Sequence, residues 1–88
     1  MVLTQILSQV YKNAKELTAQ TPLDRERHEI ESEQIGLCVR VLQVPIDRSE
    51  LEQVIFVLRR CPRVDGHSPP HVVANLLAMR SGAQLSVR

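Results

Sequence analysis

The sequence predicts a mainly α-helical fold, a small bundle of three to four helices, and two observations lead to this prediction. Aliphatic residues recur at steps of three and four along most of the 88-residue chain, which is the spacing of one face of an α-helix. Residues that favour helix starts and ends separate these segments. We expect one helical domain over residues 1–88, because a chain of this length supports a single hydrophobic core.

The first helix is predicted over 3–19, where an apolar stripe is flanked by polar residues: Leu3, Ile6, Leu7, Val10, Ala14 and Leu17. The second helix is expected to start with Thr21 as the N-cap and Pro22 at the first helical position. It is expected to continue as one long helix to Val44, where Pro45 stops it.

The stretch 35–44 also fits a strand. Ile35, Leu37, Val39 and Val41 alternate with period two, and Gly36 weakens a helix by about 1 kcal/mol relative to alanine. The alternative is therefore an α+β fold with short strands at about 36–44 and 83–88. We favour the helix because the capped start runs into the apolar stripe without an intervening turn.

The third helix is predicted over 48–60, with Asp47 as the N-cap and Glu50 completing a capping box. Its apolar stripe consists of Leu51, Val54, Ile55 and Leu58. Phe56 and Val57 lie beside that stripe, so more than half of the helix circumference is apolar. Such a helix either lies at the centre of the fold or contacts a partner.

The fourth helix is predicted over 69–81, capped by Ser68 and ended by Gly82. Its buried face is expected to comprise Val72, Val73, Leu76 and Leu77.

Composition and charge make several functional classes improbable. Aromatic residues make up 2% of the chain, too few for the stacking platforms of single-stranded nucleic-acid binders. No apolar run approaches the roughly 20 residues that span a bilayer, and the N-terminus does not resemble a secretory signal. Cys38 and Cys61 are expected to be buried thiols, which suits a cytoplasmic protein.

Charge is nevertheless distributed unevenly. Residues 24–33 hold five acidic residues against Arg25 and Arg27, whereas residues 54–88 hold five arginines against Asp65 alone. These two regions can attract each other within one chain or between two copies.

One cluster of possible metal ligands stands out: Cys61, Asp65, His67 and His71. Their spacing matches no common zinc pattern, so we expect neither a metal nor another cofactor. Cys61 paired with either histidine resembles a nucleophile and a base, but the loop offers little room for the other parts of a catalytic site. We therefore expect no enzyme activity.

The apolar excess favours a non-catalytic protein-interaction module, a regulator, adaptor or inhibitor, that forms a homodimer and binds a protein partner. The expected contact residues are Val54, Phe56 and Val57, with Arg59, Arg60 and Arg63 as the polar rim. The alternative is a small DNA-binding regulator that uses the basic third and fourth helices. Only His71, Asn75 and Arg80 are then available to read base edges, which is few for that role.

Overall fold

The computed structural model describes residues 2–19, 23–63 and 68–86, with side-chain environments up to Arg80. These residues form four α-helices: α1 (Val2–Thr18), α2 (Asp24–Gln43), α3 (Arg48–Arg59) and α4 (Pro69–Ser86). The predicted helical bundle is confirmed, and the α+β alternative is wrong. No strand occurs in the described ranges, because 36–43 belongs to α2 and 83–86 belongs to α4, while 87–88 lies outside them.

The stretch with strand-like alternation stays helical because one side of it packs into the core. Gln34, Cys38 and Val41 are buried, whereas Ile35 and Val39 are exposed. Burial at helical spacing outweighs the β-branched composition, since tertiary packing supplies most of the stability of a helix in a protein.

The start of α2 differs from the prediction. The helix begins at Asp24, and Leu23 occupies the N-cap position without a side-chain cap hydrogen bond. The expected cap Thr21 and the following Pro22 lie outside the described residues. Because Leu23 has no side-chain oxygen, it offers no cap to the first turn.

The start of α3 is predicted correctly, but the capping box is not. Asp47 occupies the N-cap position, and its side chain makes no cap hydrogen bond. Its backbone carbonyl accepts hydrogen bonds from the amides of Glu50 and Leu51, at 3.0 and 2.9 Å. The first turn is therefore closed by the backbone alone.

The start of α4 at Pro69 is predicted correctly, but the side-chain cap and the end of the helix are not. The Ser68 hydroxyl is buried without a hydrogen-bond partner, while the Ser68 carbonyl accepts from the amides of His71 and Val72. Gly82 does not end the helix, which continues to Ser86. One glycine inside a helix costs about 1 kcal/mol relative to alanine, which continued backbone hydrogen bonding can offset.

A single aliphatic core joins the four helices. α1 packs mainly on α2 and α3 mainly on α4, and the two hairpins meet through α2–α4 and α1–α3 contacts. The buried cluster consists of Ile6, Val10, Ala14, Cys38, Val41, Leu51, Val54, Leu58, Cys61, Val73, Ala74 and Leu77.

The molecule is elongated and flat. The Cα radius of gyration is 13.6 Å, whereas a compact domain of this length has about 12 Å. The Cα atoms extend over 49 × 28 × 16 Å, so the shortest dimension spans about two layers of helices, whose axes pack about 8–10 Å apart. Each helix therefore keeps a long side at the surface.

Candidate functional site

Among the described residues, five of the eight exposed large apolar side chains lie on α2 and α4, and we call the surface that they form the α2–α4 face. Three residues at i, i+4 and i+7 come from each helix: Ile35, Val39 and Leu42 from α2, and Val72, Leu76 and Met79 from α4. Ile35 is 52% exposed and Met79 71% exposed, Val39, Val72 and Leu76 are each a little under half exposed, and Leu42 is more deeply buried. Helix periodicity places each set of three on one side of its helix.

The two stripes border a shallow depression of about 350 Å³. Its described lining contains no charged side chain and is aliphatic except for one thiol: Ile35, Cys38, Val39, Leu42, Pro69, Val72, Val73 and Leu76. Such a surface offers shape and apolar area but no group that binds a polar ligand.

The same helices also supply the core. Val73, Ala74 and Leu77 of α4 are buried, as are Cys38 and Val41 of α2. The predicted buried face of the fourth helix was therefore half wrong, because Val72 and Leu76 are exposed. Both helices are apolar on two sides, and the described part of the chain covers only one of them.

The contact residues predicted on α3 fall into different environments. Val54 is 2% exposed and belongs to the core, which leaves little of its side chain available for the predicted contact with a partner. Val57 is half-buried, and Phe56 is 60% exposed. The Arg60 guanidinium lies over the Phe56 ring at 5.3 Å from its centroid, a cation–π contact. Arg59 and Arg63, predicted as part of the polar rim, are exposed.

Val57 lies on the wall of a second groove, between α1 and α3. This groove has a volume of about 590 Å³ and a mixed lining: Leu3, Thr4, Leu7, Ser8, Tyr11, Glu50, Gln53, Val54 and Val57. Its polar edge distinguishes it from the α2–α4 face, whose described lining is apolar throughout.

The residues considered as metal ligands are brought together only in part. The His71 ring donates from Nε2 to the Cys61 carbonyl at 2.6 Å, because a carbonyl only accepts. The Cys61 thiol donates to the Val57 carbonyl at 3.6 Å. Asp65 and His67 lie outside the described residues. Within the described ranges, no group of three or more His, Cys, Asp or Glu residues is placed to hold a metal.

The two cysteines are buried and unactivated. Burial raises the pKa of Cys38 to about 12, and the nearby Cys61 thiol adds to the shift. Burial likewise raises the pKa of Cys61 to about 11. Because the thiolate is the nucleophile and both thiols are neutral near pH 7, Cys61 is not poised for nucleophilic chemistry.

The basic helix pair offers little to DNA. Nine residues, 60–68, separate α3 from α4, whereas a helix-turn-helix joins its helices with about three or four. His71, a candidate base reader, is buried against Cys61. The outward side of α4 presents Val72, Leu76 and Met79, with Asn75 and Arg80 beside them.

Comparison of the chain with family models, with characterised proteins and with solved structures finds no match. Among the described residues, no helix is both long enough and apolar enough to cross a bilayer.

Sequence reasoning missed the α2–α4 face although its signal was present. Ile35 and Val39 were part of the strand-like alternation, which within a helix means apolar residues on two sides. Val72 and Leu76 directly precede Val73 and Leu77, which gives α4 two adjacent apolar pairs. The apolar stripe of this helix is therefore broader than the area that one neighbouring helix can bury.

Proposed function

We propose that this protein is a non-catalytic protein-interaction module that binds an apolar surface of another protein chain through the α2–α4 face. The observation that carries the proposal is the pair of exposed aliphatic stripes on adjacent helices, around a depression whose described lining has no charged group. Contiguous apolar surface of this kind is typical of protein-binding sites. The contact residues proposed here are therefore those of the α2–α4 face rather than Val54.

Regulator, adaptor and inhibitor are the roles that suit such a module. All three roles depend on binding rather than on a reacting group. The described cysteines agree with this, because both are neutral thiols rather than reactive thiolates. Free buried thiols suit a reducing compartment, so we place the protein in the cytoplasm.

Affinity capture from cells that produce the protein tests the proposal, with wild type compared against Met79→Asp. A charge at this exposed position leaves the fold intact but opposes burial of the face. Phe56→Asp is the matched control, because it places the same charge at another exposed apolar position, on α3 and outside the α2–α4 face. We expect Met79→Asp to lose the proteins that wild type and Phe56→Asp both retain.

Capture of the same proteins by all three forms would overturn the proposal. A duplex DNA shift that weakens steeply with salt, and weakens further when Arg59 and Arg60 are neutralised, would instead support the DNA-binding alternative.

A further inference from the structure

We infer that the groove between α1 and α3, the α1–α3 groove, is a second binding site, for a small amphiphile with an aliphatic body and an amine head group. The site is separate from the α2–α4 face, because the groove and the α2–α4 depression share no described lining residue. It therefore adds a small-molecule ligand to the protein partner proposed above.

The α1–α3 groove has the size and the walls of a small-molecule site. Its volume of about 590 Å³ lies within the range of such sites, about 300–1,000 Å³. Its α1 wall extends from Leu3 to Tyr11 and its α3 wall from Glu50 to Val57, so each wall covers about two helical turns, or about 11 Å. Both walls belong to regular helices, so the groove is formed before a ligand arrives.

The lining of the groove combines apolar and polar side chains. Val54 is buried, and four further lining residues that offer aliphatic or ring surface are half-buried: Leu3, Leu7, Tyr11 and Val57. Three uncharged polar residues of the lining are exposed: Thr4, Ser8 and Gln53. A ligand that matches this lining has an apolar body and a polar end.

Glu50 determines which polar end fits, because it is the one charged residue in the described lining. It is half-buried, and within the part of the chain that the structure describes its carboxylate has neither an ion pair nor a hydrogen bond. The nearby Lys15 ammonium lies over the Tyr11 ring instead, at 4.9 Å from its centroid. The N-terminal end of α3 favours the negative charge through the helix dipole, but it supplies no counter-ion.

An amine head group supplies what Glu50 lacks. A protonated amine brings a positive charge and three N–H donors, and its hydrogen bonds to a carboxylate are about twice as strong as those between neutral groups. A sulfonate head group would be repelled by the same carboxylate. The α2–α4 depression gives no such selection, because its described lining is uncharged.

The test compares two probes that have the same alkyl chain and opposite charges, hexylammonium and hexanesulfonate, by amide chemical-shift titration of the full chain. We expect hexylammonium to shift the amides of the α1–α3 groove and to saturate with a dissociation constant of about 1 mM. Hexanesulfonate should bind at least about tenfold more weakly. Equal binding of the two probes, or shifts confined to the α2–α4 face, would overturn the inference.

Glu50→Gln tests the head-group contact, because it removes the charge and keeps the size of the side chain. We expect it to weaken hexylammonium binding by about tenfold and to remove the preference over hexanesulfonate. Glu52→Gln is the matched control, since it removes the same charge from an exposed position on α3 outside the lining. Its dissociation constant should stay within about twofold of wild type, and circular dichroism checks that both variants fold.

Met79→Asp separates this inference from the proposed function. It should bind hexylammonium as wild type does, even though we expect it to lose captured proteins. Absence of saturable binding up to about 10 mM hexylammonium, or an unchanged dissociation constant in a folded Glu50→Gln variant, would overturn the amine site and leave the proposed function standing. Retention of captured proteins by Met79→Asp would overturn the proposed function and leave the amine site standing.

Discussion

Gln34 donates a hydrogen bond from Nε2 to the backbone carbonyl of Val10 at 2.9 Å, joining α2 to α1 across 24 positions of the chain. The Gln34 side chain is fully buried, and its Oε1 atom has no hydrogen-bond partner. Asn13, also buried, accepts from Gln9 at 2.8 Å while its Nδ2 atom has no partner. A polar layer thus lies within an otherwise aliphatic core.

We predict that Gln34→Met changes the free energy of unfolding by no more than about 1 kcal/mol. Methionine has a similar shape and removes the unpaired Oε1 atom, which offsets the lost hydrogen bond. Gln34→Glu should destabilise by at least about 3 kcal/mol at neutral pH, because it buries a charge without a partner. Urea denaturation of the two variants measures both effects. Equal destabilisation by both would contradict the assignment of Gln34 to the core.

We predict that His71→Ala destabilises the protein by about 2 kcal/mol, since it removes the buried hydrogen bond to the Cys61 carbonyl. Asn75→Ala is the control on the same helix, and its effect should stay within about 0.5 kcal/mol because Asn75 is exposed. Thermal denaturation followed by circular dichroism provides the comparison. If the two alanine variants unfolded at the same midpoint temperature, the hydrogen bond of the His71 ring would not contribute to stability.

We predict opposite outcomes for two neighbouring substitutions on α3. Val54→Asp should destabilise by more than about 3 kcal/mol, because Val54 is in the core. Phe56→Asp should cost no more than about 1 kcal/mol, since it loses an exposed ring and a weak cation–π contact with Arg60. Denaturant titrations of both variants would disprove this placement if Phe56→Asp were the less stable one.

We predict that stability falls at alkaline pH because of the two buried thiols. Their pKa values are about 12 for Cys38 and about 11 for Cys61, against an ordinary value of 9.0. Above pH 9 the unfolded chain releases these protons and the folded chain retains them, so rising pH favours unfolding. The stabilisation is complete below pH 9 and is lost as the pH rises toward 11 and 12, by about 1.4 kcal/mol per thiol for each pH unit.

Cys38→Ala is the control for this pH dependence. The variant should have a lower free energy of unfolding at pH 7 because of the cavity it creates, but a shallower decline above pH 9. Denaturant titrations at several pH values give both slopes. An identical decline in wild type and variant would show that Cys38 does not cause the loss.

The sequence predicted α3 well, but it did not predict which of the apolar side chains on this helix are exposed. The stripe of Leu51, Val54 and Leu58 is buried as its spacing indicates. The same pattern suggested that Val54 was available to a partner, but its side chain is almost fully buried. Stripe width shows that a helix has more than one apolar side, but it does not show which side the neighbouring helix covers.

By itself, the sequence determined the four helices, their approximate bounds and an aliphatic core, because these follow from local spacing and the limited size of the chain. Only the tertiary structure decided that α2 and α4 turn Cys38, Val41, Val73 and Leu77 inward and leave Ile35, Val39, Val72 and Leu76 at the surface. The physical reason is that each of these two helices has aliphatic side chains on two of its sides. The contacts among the helices, made by residues far apart in the chain, select the side that is buried.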